Sequence, residues 1–149
     1  MLLKQELFQK VTQHLNDKLL VLQGVIKDQK INLESETKSS AGDKHETGRA
    51  MMQLERENTG KQLAEIQSQF QILNRLQVQH THTKVILGSI VFTTLNNYFI
   101  SVGSGLLKVR DQEFYAISMN SPMAQQLLGK SKNDKAVING RKFVITKII

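Results

Sequence analysis

Asp43 and Glu46 stand three residues apart in the stretch AGDKHETGRA, residues 41 to 50, directly after a glycine. They are the pair in this chain best suited to chemistry, because carboxylates are the hard oxygen ligands that Mg²⁺ prefers. The same spacing has a plainer reading. Asp43 as N-cap would accept the amide three residues on, and Glu46 would reach back to the cap, an Asp variant of the capping box. Acids at that place also complement the helix dipole by about 0.3–1 kcal/mol. The two readings overlap, since a carboxylate can hold a helix amide with one oxygen and offer the other.

Few other residues compete for a chemical role. There is no Cys, which excludes disulfides, thiolate metal sites and a cysteine nucleophile, and which fits a reducing compartment. His80 and His82 lie two apart, a spacing able to bind Zn²⁺, but with no Cys and no acidic neighbour they read as linker residues. The turns at Asn96-Asn97 and Gly103-Ser104-Gly105 lead into no helix and so cradle no phosphate.

The elements that would position the acids show in the hydrophobic pattern. Leu3, Leu7, Val11, Leu15, Leu19, Leu22 and Ile26 recur at steps of three and four, the stripe of an amphipathic helix over residues 2 to 38. A second stripe, Met51, Leu54, Leu63, Ile66, Phe70 and Leu73, predicts a helix from about 46 to 77. With only TKSSAGDKHE between them the two must run antiparallel as a helical hairpin, its arms of roughly 33 residues projecting about 50 Å. Near the turn the stripe thins: Asn58, Thr59 and Lys61 interrupt it, so pairs such as Glu57 with Lys61 are expected to help hold that end. The N-terminal apolar residues are broken by charges every few positions, so they predict neither a signal peptide nor a membrane span.

After residue 78 the period changes to two. The runs VILGSIVFTT, NYFISV, LLKV, EFYAIS, AVI and KFVITKII read as short strands, and Asn139-Gly140 is the strongest local hairpin signal in the chain. One helix of about two turns interrupts them, with Ser121 as N-cap, Pro122 at its first position and Gly129 as its stop. The fold class is therefore α+β in two domains, a helical hairpin over 1–78 and an antiparallel sheet with one short helix over 79–149. Charge divides along the same line: residues 1–78 are near neutral, with 11 Lys and Arg against 10 acids, while residues 79–149 hold 9 against 3. A basic half suits a polyanionic or acidic partner, whether nucleic acid or protein, and an excess of this size also serves solubility.

The segment ISMNSPMAQQLLGKSKNDKAVINGRKFVITKI resembles the C-terminal, FKBP-like domain of the bacterial Gre-type transcript cleavage factors, through Ser121, Pro122, Ala124, Leu127, Leu128, Gly129, Lys130 and Asp134. That family places an antiparallel coiled coil before this domain and carries Gly-Asp-x-x-Glu at its tip, matched here by Gly42, Asp43 and Glu46. The resemblance covers nearly the whole chain. It implies a soluble cytoplasmic monomer that binds RNA polymerase, inserts the hairpin into the secondary channel and uses the tip acids to help hold a Mg²⁺ ion and an attacking water. The chain would then be no enzyme itself, would stimulate cleavage of backtracked RNA by the polymerase, and would have neither a membrane nor a small-molecule partner. Family members carry basic residues that meet the RNA 3′ end; Lys44, Arg49, Arg56 and Lys61 are the equivalents here. Beyond Glu46 the chain departs from the pattern, with Thr47, Gly48, Arg49 and Ala50 where the family runs from Asn toward Glu and an aromatic. Three further readings remain open: a regulator of the same fold that occupies the channel without stimulating cleavage, a dimerising coiled-coil scaffold, and an FKBP-like prolyl isomerase.

Overall fold

The computed structural model describes residues 2–38 and 46–149. Two long helices come first, α1 (Leu3–Lys38) and α2 (Glu46–Asn74). At its start α1 is held by the Gln5 side chain, which accepts the Leu2 amide at 3.1 Å, half of a capping box. Six strands and one short helix follow: β1 (Ile90–Thr93), β2 (Asn97–Ser101), β3 (Gly105–Val109), β4 (Gln112–Ser118), α3 (Pro122–Leu127), β5 (Lys135–Ile138) and β6 (Arg141–Ile148). A helical hairpin followed by a mainly antiparallel sheet with one short helix is the two-part, Gre-type layout that the resemblance implies. The chain groups into two compact units, one of Met1–His14 with Phe70–Ile149 and one of Leu15–Gln69.

Within Leu15–Gln69 the two helices bury Leu15, Leu22 and Ile66 along their seam. The seam departs from the expected stripe at the far end, where Met51 and Leu54 are 60% and 58% exposed. Counting back from Leu63 in steps of four and three reaches Thr59, Arg56 and Met52, and Thr59 is buried at 7% while Met52 is half-buried. Residues 51 and 54 fall outside that alternation, so they turn to solvent. Thr59, read from its polarity as a break in the stripe, is a member of it.

In the other unit the six strands form one sheet in the order β3-β4-β2-β1-β6-β5. Every neighbouring pair is antiparallel except β2 and β4, which run parallel from Tyr98 beside Tyr115 to Ser101 beside Ser118. The parallel pair arises because the chain leaves β2 for the outer place of β3 and returns as β4 into the gap. Two of the three antiparallel hairpins close in two-residue turns. Asn139 and Gly140, at φ 50° and 76°, take the left-handed conformations expected of them, and Arg110 and Asp111 do the same at 52° and 60° without a glycine.

Tyr98, Phe99 and Ile100 are all buried although neighbours on a strand face opposite ways, so both faces of the sheet are covered at β2. One face carries the cluster of Val91, Tyr98, Ile100, Ala124, Leu127, Phe143 and Ile145, closed by α3. On the other, Ile90, Phe99 and Phe114 are 0% exposed, and Leu7, Val11 and Leu73 of the helix ends are buried in the same unit. Burial of a side chain of this size stabilises by about 1.5–3 kcal/mol. Among the described residues no helix is long and apolar enough to cross a membrane.

Candidate functional site

The candidate acids lie where α1 gives way to α2. Helix α1 ends at Lys38 and α2 begins with Glu46, so Glu46 is the first residue of its helix. Gly42, Asp43 and Lys44 lie outside the described residues, as does the side chain of Glu46. Among the described residues no group of three His, Asp or Glu is placed to hold a metal ion.

Three of the four basic residues expected to accompany the tip, Arg49, Arg56 and Lys61, are on α2. Each of the three is exposed. Arg49 and Arg56, seven residues apart, share one face of the helix, whereas Lys61 is turned well away from both by its spacing of five and twelve. Glu57 and Lys61 form no ion pair; the pairs among the described residues are Lys108 with Glu113 and Arg110 with Glu6.

Arg56 sits at the rim of a hollow of about 440 Å³ between the two helices, lined also by Ile26, Gln29, Lys30, Leu33 and Thr59. Thr59 Oγ1 donates to the Glu55 carbonyl at 2.8 Å and accepts from Gln29 Nε2 at 2.9 Å. The hollow follows from composition: Arg56, Thr59 and Gly60 stand where large apolar side chains would otherwise fill the space. Lys30, which sequence reasoning did not single out, is the second cation at this place.

The residues of the C-terminal signature prove to be architectural. Ser121 caps α3, accepting the Ala124 amide at 3.2 Å and donating its hydroxyl to the Ser118 carbonyl at 2.8 Å. Gly129, at φ 80°, gives its amide to the Val85 carbonyl, and Val85 returns its own to Lys130. Asp134 accepts the Ser131 amide at 2.7 Å and so shapes its own turn.

A polar cluster near the linker was also unforeseen. Lys4 is 2% exposed and donates to the His80 carbonyl at 2.5 Å, its ammonium 3.5 Å from Nδ1 of His82. That nitrogen is hydrogen-bonded with the Ser89 hydroxyl at 2.8 Å, and the same Ser89 oxygen accepts the Ile86 amide at 3.0 Å. Burial lowers the Lys4 pKa to about 8, and burial with the Lys4 charge lowers that of His82. Both causes favour the neutral form of His82.

No family model matches the chain, and no curated protein matches it. Solved structures do. The chain is 22% identical to Gfh1 of Thermus aquaticus, with 94% of each chain covered and a TM-score of 0.37. GreA factor homolog 1 (Gfh1) of Thermus thermophilus is 20% identical over 95% of this chain and 94% of that one, at a TM-score of 0.35. A structure of the transcription factor Gfh1 is 21% identical over 95% and 92%, at 0.32. Coverage is nearly complete while identity and superposition are low, so no residue role is taken from these structures.

Proposed function

We propose that the chain is a transcription factor that binds RNA polymerase and stimulates cleavage of backtracked RNA. The observation that supports this reading is a pair of long helices, of 36 and 29 residues, that precede the strands and between whose described ends the sequence carries Gly42 and Asp43, with Glu46 opening the second. In this reading the hairpin enters the secondary channel. There Asp43 and Glu46 complete a Mg²⁺ site with the polymerase, because two carboxylates alone hold that ion weakly and two-metal hydrolysis needs oxygen ligands beside the scissile phosphate. Arg49, Arg56, Lys61 and Lys44 supply positive charge toward the RNA 3′ end. The protein acts as a cytoplasmic monomer and has no nuclease activity alone.

The test is a halted, backtracked elongation complex given the purified protein and Mg²⁺. Shortened transcripts are expected with the wild type and not with Asp43→Asn or Glu46→Gln. Absence of cleavage with a wild type that binds the polymerase would remove the cleavage reading and leave the second one, a channel-occupying regulator, which the departure at Thr47, Gly48, Arg49 and Ala50 favours. A prolyl isomerase is disfavoured by the aromatics: Tyr98, Phe99, Phe114 and Phe143 are buried in the core, which leaves Phe92 and Tyr115 as the partly exposed aromatics of the strands.

A further inference from the structure

The last hairpin of the sheet carries a surface that the polymerase reading does not use. Among the described residues strand β5 pairs with β6 alone, so its outer edge presents backbone groups unpaired there, the usual template for an added strand. Lys135 lies opposite Val144, and Val137 opposite Lys142. These four share the face turned away from α3, because the alternate residues Ala136 and Phe143 join the α3 core. Between them runs a groove of about 390 Å³, reached also by Thr94, and Val137 is 45% exposed within it.

The surface is net basic. Lys135, Arg141 and Lys142 are exposed and take part in neither of the ion pairs found among the described residues. The neighbouring acid, Asp134, gives one oxygen to the Ser131 amide and offsets one of these three charges. We infer that the free edge of β5 is a docking strand for an acidic, extended segment of another protein, which adds to the sheet beside Lys135–Ile138.

The pleat sets the pattern such a segment must have. Side chains two apart on the added strand face the groove together, so an acidic residue beside Lys135 requires an apolar one beside Val137. Charge alone would also attract a nucleic acid. A phosphate backbone brings nothing to cover Val137 and Val144, however, and Phe143, the aromatic residue of the lining, is 2% exposed and so offers no face on which a base would stack. This inference is independent of the tip chemistry, since it rests on another module.

The experiment uses the full chain, isotope-labelled for amide NMR, with an eight-residue peptide repeating Thr-Glu-Thr-Val as the probe. The expected result is perturbation centred on the amides of residues 135–138. Affinity should fall at least tenfold in Lys135→Glu/Lys142→Glu, whose melting temperature should match the wild type because both residues are exposed. Val137→Asp should weaken binding to a similar degree. The inference is overturned if the peptide fails to bind at millimolar concentration or perturbs another region. It is equally overturned if a Thr-Lys-Thr-Val peptide binds as well, or if oligothymidylate of equal charge binds the same amides more tightly, which would make the surface a nucleic-acid one.

Discussion

Gln29 donates to Thr59 across the hairpin at 2.9 Å, a polar pair in the seam that buries Leu15, Leu22 and Ile66. A polar pair inside a helical seam specifies register at a cost in stability, because only one alignment of the helices satisfies both groups. Thr59→Val should therefore destabilise Leu15–Gln69 by about 1 kcal/mol, leaving a half-buried amide without its partner. Gln29→Leu with Thr59→Val should recover that loss or exceed it, while register between the arms becomes less defined. Thermal melts of the single and double variants, with spin-label distances between the arms, would check both halves of this prediction.

Gly60 adjoins Thr59 in the interior of α2, and a Cβ placed there meets nothing within 4 Å. Replacing a helical glycine by alanine removes backbone freedom from the unfolded chain and gains about 0.5–1 kcal/mol where space allows. Gly60→Ala is expected to raise the denaturation midpoint of the hairpin. The side chain would also begin to fill the hollow beside Arg56, so slower amide exchange around residues 56–60 should accompany the gain.

Lys4 gives the stability a pH dependence of definite sign. Its folded pKa is about 8 because burial disfavours the ammonium, against an ordinary 10.5. Below pH 8 both states hold the proton and the folded form bears the full penalty. Between 8 and 10.5 the unfolded chain keeps a proton that the folded chain has released, so stability rises with pH through that window. Lys4→Met should abolish this rise, measured as the difference between the two urea midpoints from pH 7.5 to 10.5. His82, lowered in the same direction, should add a loss of stability as pH falls below about 6.5.

Ser121 holds α3 by its cap and fastens that cap to Ser118. Loss of an N-cap hydroxyl costs about 1 kcal/mol, and α3 closes one face of the sheet. Ser121→Ala should thus lower the melting temperature of the sheet unit, while Ser121→Asp should keep most of it by restoring the cap acceptor. Near-ultraviolet dichroism around Tyr98 would report the loosened core.

What was legible in the sequence follows the range of the interactions. Helix α1, the Asn139-Gly140 turn and the Ser121-Pro122-Gly129 helix were readable because local spacing and backbone preference set them. Arg110-Asp111 was not, since neither residue advertises a left-handed turn; its position is imposed by the strands it joins, with Arg110 tied to Glu6 at 2.7 Å. The parallel pairing of β2 with β4 depends on where β3 lies, which no window of neighbouring residues encodes. Met51 and Leu54 were apolar enough to suggest a seam whose register Leu63 and Thr59 decide instead. Asp43 and Glu46 are proposed from type and spacing alone, whereas Lys30 and the hollow beside Arg56 required the partner helix.

The grouping of Met1–His14 with Phe70–Ile149 has a kinetic consequence. Residues 15–69 interrupt the sheet unit in chain order, so that unit must close a long loop before its two parts meet, an entropic cost that grows with the length of free chain. A helical hairpin forms from contacts nearer in sequence and brings residues 14 and 70 together as it does so, replacing a floppy excursion by a short one. The arms thus act as an internal guide for assembly of the sheet. Weakening their seam is expected to slow refolding of the strands.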